Sequence, residues 1–315
     1  MRTLIALLMS GALALTPAAD PTTAPTPEAG DTSVSGRQEG KNVTVNVGSQ
    51  IRFRGDGVEG GTGDGYRLKS PCWYEPFLNA EDMIKFRTDP RTHRNEIANH
   101  EERFNEANQP FLDKKGQEGL WWSSAYDTAD PKGASCWAGL PLFVFVPPND
   151  TPPLGITPAM LAEIARGRLT VPEHKITLSP DAKSFVNLPT WVAVDGIQQP
   201  RRTLTAEIPG RLSVTVVATL KEIRIDSGTT GERAEVREDG CGTSGRRFAK
   251  GAEFTCGVRY LRASIDQPRE AYTMSVTTVW PVEVAGDAAG LTFTPIQVEA
   301  TRDVQVGEIQ SNVRP

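Results

Sequence analysis

The sequence predicts a mainly β protein: a C-terminal immunoglobulin-like antiparallel β-sandwich over 175–315, preceded by a mixed α+β, disulfide-pinned region over 42–174. Three observations predict it. From about Lys175 onward apolar residues alternate with polar ones, the period of a half-buried strand. Glycine (29) and proline (24) are abundant, which suits many turns between short strands. Four cysteines, an even count, follow an apolar N-terminal leader.

The leader begins with Arg2, continues through the apolar run Leu4 to Leu15, and exits through the small residues Thr16, Pro17, Ala18 and Ala19. That layout predicts a secretory signal peptide over 1–19, with the mature chain secreted or associated with the cell envelope. An uncleaved N-terminal anchor is the alternative. The run is shorter than the roughly 20 residues a spanning helix needs, so no transmembrane segment is expected after leader removal. Residues 20–41 are rich in Pro, Thr, Ala, Gly and Glu, the composition of a disordered linker.

Val43, Val45 and Val47 alternate with polar residues, and Ile51 and Phe53 resume the pattern, so a hairpin is expected around Gly48-Ser49-Gln50. A glycine-rich segment from Gly55 to Gly65 reads as a flexible loop. Asn79 is placed to cap a helix over Ala80 to Phe86 that stops before Pro90. A second, polar helix fits Arg91 to about Asn105, with Ile97 and Phe104 as a sparse apolar stripe. Leu140 to Val146 is an apolar run closed by Pro147-Pro148, expected as a buried strand. Thr157-Pro158 opens a helix whose apolar face is Met160, Leu161, Ile164 and Leu169.

Further on, Leu212, Val214, Val216, Ala218 and Leu220 share one face of a strand. Ile223 and Ile225 take the other parity, which predicts a bulge or bend near Lys221-Glu222. Tyr272, Met274, Val276, Trp280, Val282 and Val284 form the longest alternating row, and Pro281 requires an edge or a break there. The cysteines allow three pairings. Cys72–Cys136 and Cys241–Cys256 are favoured, because each pair lies within one expected region. A zinc site is the competing reading, but the spacings contain no Cys-x-x-Cys element.

Several phrases occur as a set: Pro71-Cys72-Trp73-Tyr74-Glu75-Pro76, Gly119-Leu120-Trp121-Trp122, Leu140 to Pro148, Ile156-Thr157-Pro158, Val186 to Trp191, and Cys256 to Arg262. Together they resemble a group of secreted actinobacterial proteins of unknown function, often labelled ATP/GTP-binding protein or enoyl reductase. The resemblance covers most of the chain after the linker and implies no catalytic residues. The residues support neither label. In Gly63 to Ser70, Leu68 stands where a phosphate-binding loop needs glycine, and Pro71 follows instead of a helix. No nucleotide or other cofactor is expected. The net charge of −5 and the lack of a basic block argue against a nucleic-acid partner.

Metal ligation has one helical candidate: His93, Glu96 and His100 share a face, but a solvated polar helix face is the favoured reading, since nothing outside the helix is marked as a further ligand. Asp56, Glu59 and Asp64 in the glycine-rich loop are a second candidate, for calcium. The candidate binding residues are Trp73, Tyr74, Trp121 and Trp122. Adjacent tryptophans in an extended segment point to opposite faces, so one indole would face outward to stack a sugar ring or a partner's side chain. The favoured reading of the residues is nonetheless that these aromatics pack over the Cys72–Cys136 bridge. The expected function is an exported, non-enzymatic binding or scaffolding protein with an extracellular protein or polysaccharide as partner. A secreted hydrolase of cell-wall or extracellular polymer is the alternative.

Overall fold

A computed structural model describes residues 34–39, 42–47, 49–181 and 183–309, with no account of the side chains of 34–47 and 92–99. The expected leader and most of the expected linker lie outside the described residues. The N-terminal half carries strands β1 (Val34–Glu39), β2 (Asn42–Val47), β3 (Arg52–Arg54) and β4 (Cys72–Pro76), then helices α1 (Ala80–Thr88) and α2 (Pro90–Leu112). Strand β5 (Leu120–Tyr126), the short helix α3 (Gly133–Ala138), β6 (Phe143–Val146) and α4 (Pro158–Arg168) follow. The C-terminal half is built from β7 (Lys175–Ser179), β8 (Ser184–Phe185), β9 (Pro189–Asp195), β10 (Arg201–Ile208), β11 (Leu212–Thr219) and β12 (Glu222–Asp226). It continues with β13 (Ala234–Arg237), β14 (Gly257–Tyr260), β15 (Tyr272–Trp280), β16 (Val282–Gly286), β17 (Ile296–Val304) and β18 (Val306–Gly307). The fold is mainly β, with several antiparallel sheets and two disulfides, Cys72–Cys136 and Cys241–Cys256.

Local chemistry explains the helix starts. The Asn79 side chain accepts from Asp82 N at 2.8 Å, and Thr157 Oγ1 accepts from Met160 N at 3.2 Å. Pro90 and Pro158 occupy the first turns of α2 and α4, where no N–H is needed. Helix α2 runs past the expected Asn105 to Leu112, and the added turns bring Asn108 and Phe111 onto its packed side.

Two apolar cores are formed among the described residues. In the first, the sheet β16-β11-β10-β3 buries Leu204, Ala206, Val214 and Val216 against Leu161, Ala162, Ile164 and Ala165 of α4. Trp73, Tyr74, Trp122 and Val146 of the sheet β4-β5-β6 join the same core. The second core lies between β13-β14-β9-β7 and β12-β15-β17, whose facing residues include Val192, Val194, Ile223, Ile225, Val258, Met274 and Val276. The first core therefore crosses the expected boundary at 175, because β10, β11 and β16 supply its floor.

Strands β11–β12 and β15–β16 together form one long two-stranded ribbon shared by both cores. From Ala218 to Glu222 one strand advances four residues while its partner advances three, from Val282 to Val279. The extra residue is the expected bulge at Lys221-Glu222. It returns Ile223 and Ile225 to the inward face despite their change of parity, so a single face stays buried along the whole ribbon. Pro281 separates β15 from β16, β16 is an edge strand, and Thr219 N donates across the break to Pro281 O at 3.1 Å.

Three expectations are corrected. No hairpin forms around Gly48-Ser49-Gln50: β2 pairs with β1, and β3 pairs with β10. Strand β1 thereby occupies residues assigned to the linker. The Gly55–Gly65 segment is strapped down rather than free. Gly57 N donates to Thr203 O at 2.9 Å, Thr62 and Val171 exchange hydrogen bonds, and at Gly55 (φ +122°) a Cβ would stand 2.2 Å from Thr203 O. Finally, β6 is a half-buried edge strand and not a buried one.

The Cys241–Cys256 bridge spans a sequence separation of 15. Replacing both cysteines by alanine is expected to lower unfolding free energy by about 3 kcal/mol. A urea titration checks this, and an unchanged midpoint contradicts it.

Candidate functional site: an apolar cleft beside a buried sheet

Every residue of β4 is buried. On one side β4 pairs with β5. On the other it meets the returning segment 154–156, where Tyr74 N donates to Leu154 O at 2.9 Å and Ile156 N donates to Tyr74 O at 2.8 Å. The loop 147–153 therefore leaves β6 and arches back to the far edge of β4. Beneath that arch opens a cleft of ≈ 550 Å³ lined by Tyr74, Leu140, Val144, Val146, Pro153 and Leu154, with Asp150 and Thr151 among its polar wall residues. Tyr74 is fixed there because its hydroxyl donates to Pro141 O at 2.9 Å. Leu154 adopts φ +60°, a left-handed backbone that costs a β-carbon residue about 1 kcal/mol, and leaves 45% of its surface exposed.

The four expected binding residues do not present aromatic faces to solvent: Trp73, Tyr74, Trp121 and Trp122 are between 4% and 7% exposed. The adjacent tryptophans of β5 take opposite faces, but both faces are covered. Trp122 enters the first core. Trp121 lies under a layer of aromatics, its ring centroid 4.6 Å from Phe111 of α2 and 5.3 Å from Phe145 of β6. The outward indole therefore does not form, and the aromatics are buried as the favoured reading has it, because α2 reaches far enough to roof the sheet. Tyr74 alone of the four lines the cleft.

Trp73 serves a different purpose. Its indole Nε1 donates to Glu75 Oε1 at 2.7 Å, and Ser49 Oγ donates to the same oxygen at 2.8 Å. Gln50 N donates to Glu75 Oε2. The carboxyl of Glu75 is fully buried, and all three of these donors are neutral. Burial pushes its pKa up, and the three hydrogen bonds pull it partly back. Glu75 ties the segment after β2 to the back of the strand that carries Tyr74.

The calcium candidate is not assembled. Both oxygens of Asp64 accept from the buried Arg166 guanidinium, at 3.1 and 2.6 Å, and Asp56 Oδ1 accepts from Thr203 N. Arg166 also stacks 5.0 Å from the Tyr66 ring centroid, so the pair clamps the glycine-rich segment to α4. His93, Glu96 and His100 all fall on α2 as expected. The side chains of His93 and Glu96 lie outside the described residues, and His100 is exposed. Among the described residues no group of three or more His, Cys, Asp or Glu could hold a metal ion.

The cleft was invisible in the sequence because it depends on a loop returning to a strand some 80 positions earlier in the chain, and the Glu75 anchor because its Ser49 and Gln50 donors lie 26 and 25 positions before it. No protein-family profile matches the chain, and neither curated proteins nor solved structures give a significant match.

Glu75→Gln turns one acceptor into a donor facing Gln50 N, with an expected loss of about 1–3 kcal/mol in a denaturant titration. Because the Glu75 pKa is raised in the folded chain, its contribution is present below the ordinary carboxylate value and is lost as pH rises through the raised one. The variant should lack that decline. His174 behaves oppositely. It is buried, Nε2 bonds Val276 O at 2.9 Å, and burial lowers its pKa. The unfolded chain takes up the proton first, so stability falls as pH drops below about 6.5. His174→Gln should flatten that acid limb in thermal unfolding measured from pH 7 to pH 5.

Proposed function

We propose that the chain is an exported, non-enzymatic binding protein of the cell envelope or extracellular space, and that the cleft beside Tyr74 receives an extended, apolar segment of another extracellular protein. Two closed disulfides support an oxidising compartment. No helix among the described residues is long and apolar enough to cross a membrane. The reading of the second core as immunoglobulin-like is supported by its strand orders, four in β13-β14-β9-β7 over three in β12-β15-β17. It is supported also by Tyr272 at the start of β15, whose hydroxyl lies 3.1 Å from the carbonyls of Arg262 and Ala263. Such a sandwich serves as a rigid mount for surface contacts.

The observation that carries the reading is Leu154. An apolar side chain held in a left-handed backbone at a cleft mouth costs stability that a glycine there would avoid, and it keeps an apolar contact in the cleft. The lining favours a peptide over a sugar, because it is mainly aliphatic and proline, its Tyr74 ring is buried, and its Phe145 ring is packed against Trp121.

Leu154→Gly separates the two roles. It is expected to raise unfolding free energy by about 1 kcal/mol by relieving the backbone, while weakening binding. The measurement is enrichment of a displayed peptide library on the mature protein, with Leu154→Asp as the stronger lesion. Wild type should enrich apolar, extended peptides and both variants should lose them at least tenfold. Equal capture by Leu154→Asp, or no enrichment by wild type, overturns the reading.

A further inference from the structure

Far from the cleft residues in sequence, the Cys241–Cys256 bridge closes the loop between β13 and β14. Its base is rigid. Val194 N donates to Ser244 O at 2.9 Å and Arg246 N donates to Val192 O at 2.7 Å, so residues 244–246 extend the sheet along β9. Gly245 permits this approach: its φ is +67°, and a Cβ would stand 2.4 Å from Val192 O. Arg246 Nε donates to Gly240 O, and Ala252 N closes the tip on Ala249 O.

The tip itself is exposed from Arg246 to Glu253. At its centre Phe248 leaves 61% of its surface in solvent, its ring meeting Trp191 edge to face at 6.1 Å. Around it stand Arg246, Arg247 and Lys250, against Glu253 as the one acid within the loop, in a chain of net charge −5. Asp195 engages Arg247 at 2.6 Å. Beside the base Arg237 stands with Glu238 and Asp239, and the Glu238 carboxylate accepts from Ile225 N, so the positive charge is confined to the tip. Arg246 and Lys250 form no ion pair among the described residues.

We propose that this disulfide-closed loop docks the protein onto an anionic lipid bilayer, with Phe248 entering the boundary between headgroups and acyl chains and Arg246 and Lys250 meeting anionic headgroups. Cations beside an exposed aromatic ring suit a surface that is charged outside and apolar within. A soluble polyanion would use the cations and leave the phenyl ring without a role. The rigid base removes the ordering cost that a free loop would meet on contact. This surface is separate from the cleft, and the assignment does not depend on what the cleft binds.

The test is co-sedimentation of the mature, oxidised protein with vesicles of phosphatidylglycerol and phosphatidylcholine, and with phosphatidylcholine alone. Partition into the anionic vesicles should exceed that into the neutral ones by about tenfold, and should fall with added salt. Arg246→Glu with Lys250→Glu should abolish the difference, and Phe248→Ser should weaken binding several-fold. Phe248→Trp, a conservative change, should bind and shift its emission to the blue on anionic vesicles only. Equal partition into both vesicle types overturns the proposal. So does a Phe248→Ser protein that binds as wild type while soluble polyphosphate competes fully, since that identifies a polyanion site.

Discussion

Both cores depend on one constraint: the β11–β12 and β15–β16 ribbon must keep a single face inward over its whole length. A strand with two apolar rows of opposite parity cannot do so while paired in a regular ladder. The extra residue at Lys221-Glu222 reconciles them. Above it, Val214, Val216 and Ala218 meet α4 and the aromatic sheet. Below it, Ile223 and Ile225 complete the sandwich with Val192 and Val258. The two halves are therefore coupled through continuous backbone hydrogen bonding, and not merely joined by a linker.

Upon that frame the N-terminal half places its polar groups with little slack. Buried charge is concentrated at a few points, and each is spent on fixing an irregular segment. Arg166 and Asp64 hold the glycine-rich stretch to α4. Glu75 holds the segment after β2, and Arg202 reaches Glu59 O and Gln199 from the sheet edge. Removing one partner from such a pair leaves the other buried and uncompensated, so these contacts specify conformation even where their net stabilisation is small. The cleft is the place where the same half leaves apolar surface unfilled.

Legibility in the sequence followed the range of the interaction. The rows over 212–225 and 272–284 were readable because a two-residue period is local, and the parity slip located the bulge to within a residue. Asn79 and Thr157 were readable as caps because a cap acts within three residues. The cysteine pairing followed from regional grouping. The partner of β3 was not readable, since Arg52–Arg54 pair with residues 205–207 and nothing local names that partner. The cover over Trp121 was not readable, because it comes from Phe111 on a separate helix. The cleft wall required knowing that Leu154 returns to Tyr74.

The closing strand has a mechanical meaning. β18 joins β8 in the only parallel pairing between strands of the described residues, with Ser184 N donating to Gln305 O and Val186 N donating to Gly307 O. Tension applied along those two strands from opposite ends would load both bonds at once in shear, whereas an antiparallel hairpin end would peel one bond at a time. A protein held at a surface by one part and drawn away by its C-terminal end would therefore resist at this clasp first, and its lifetime under load would be governed by the rate at which the clasp opens.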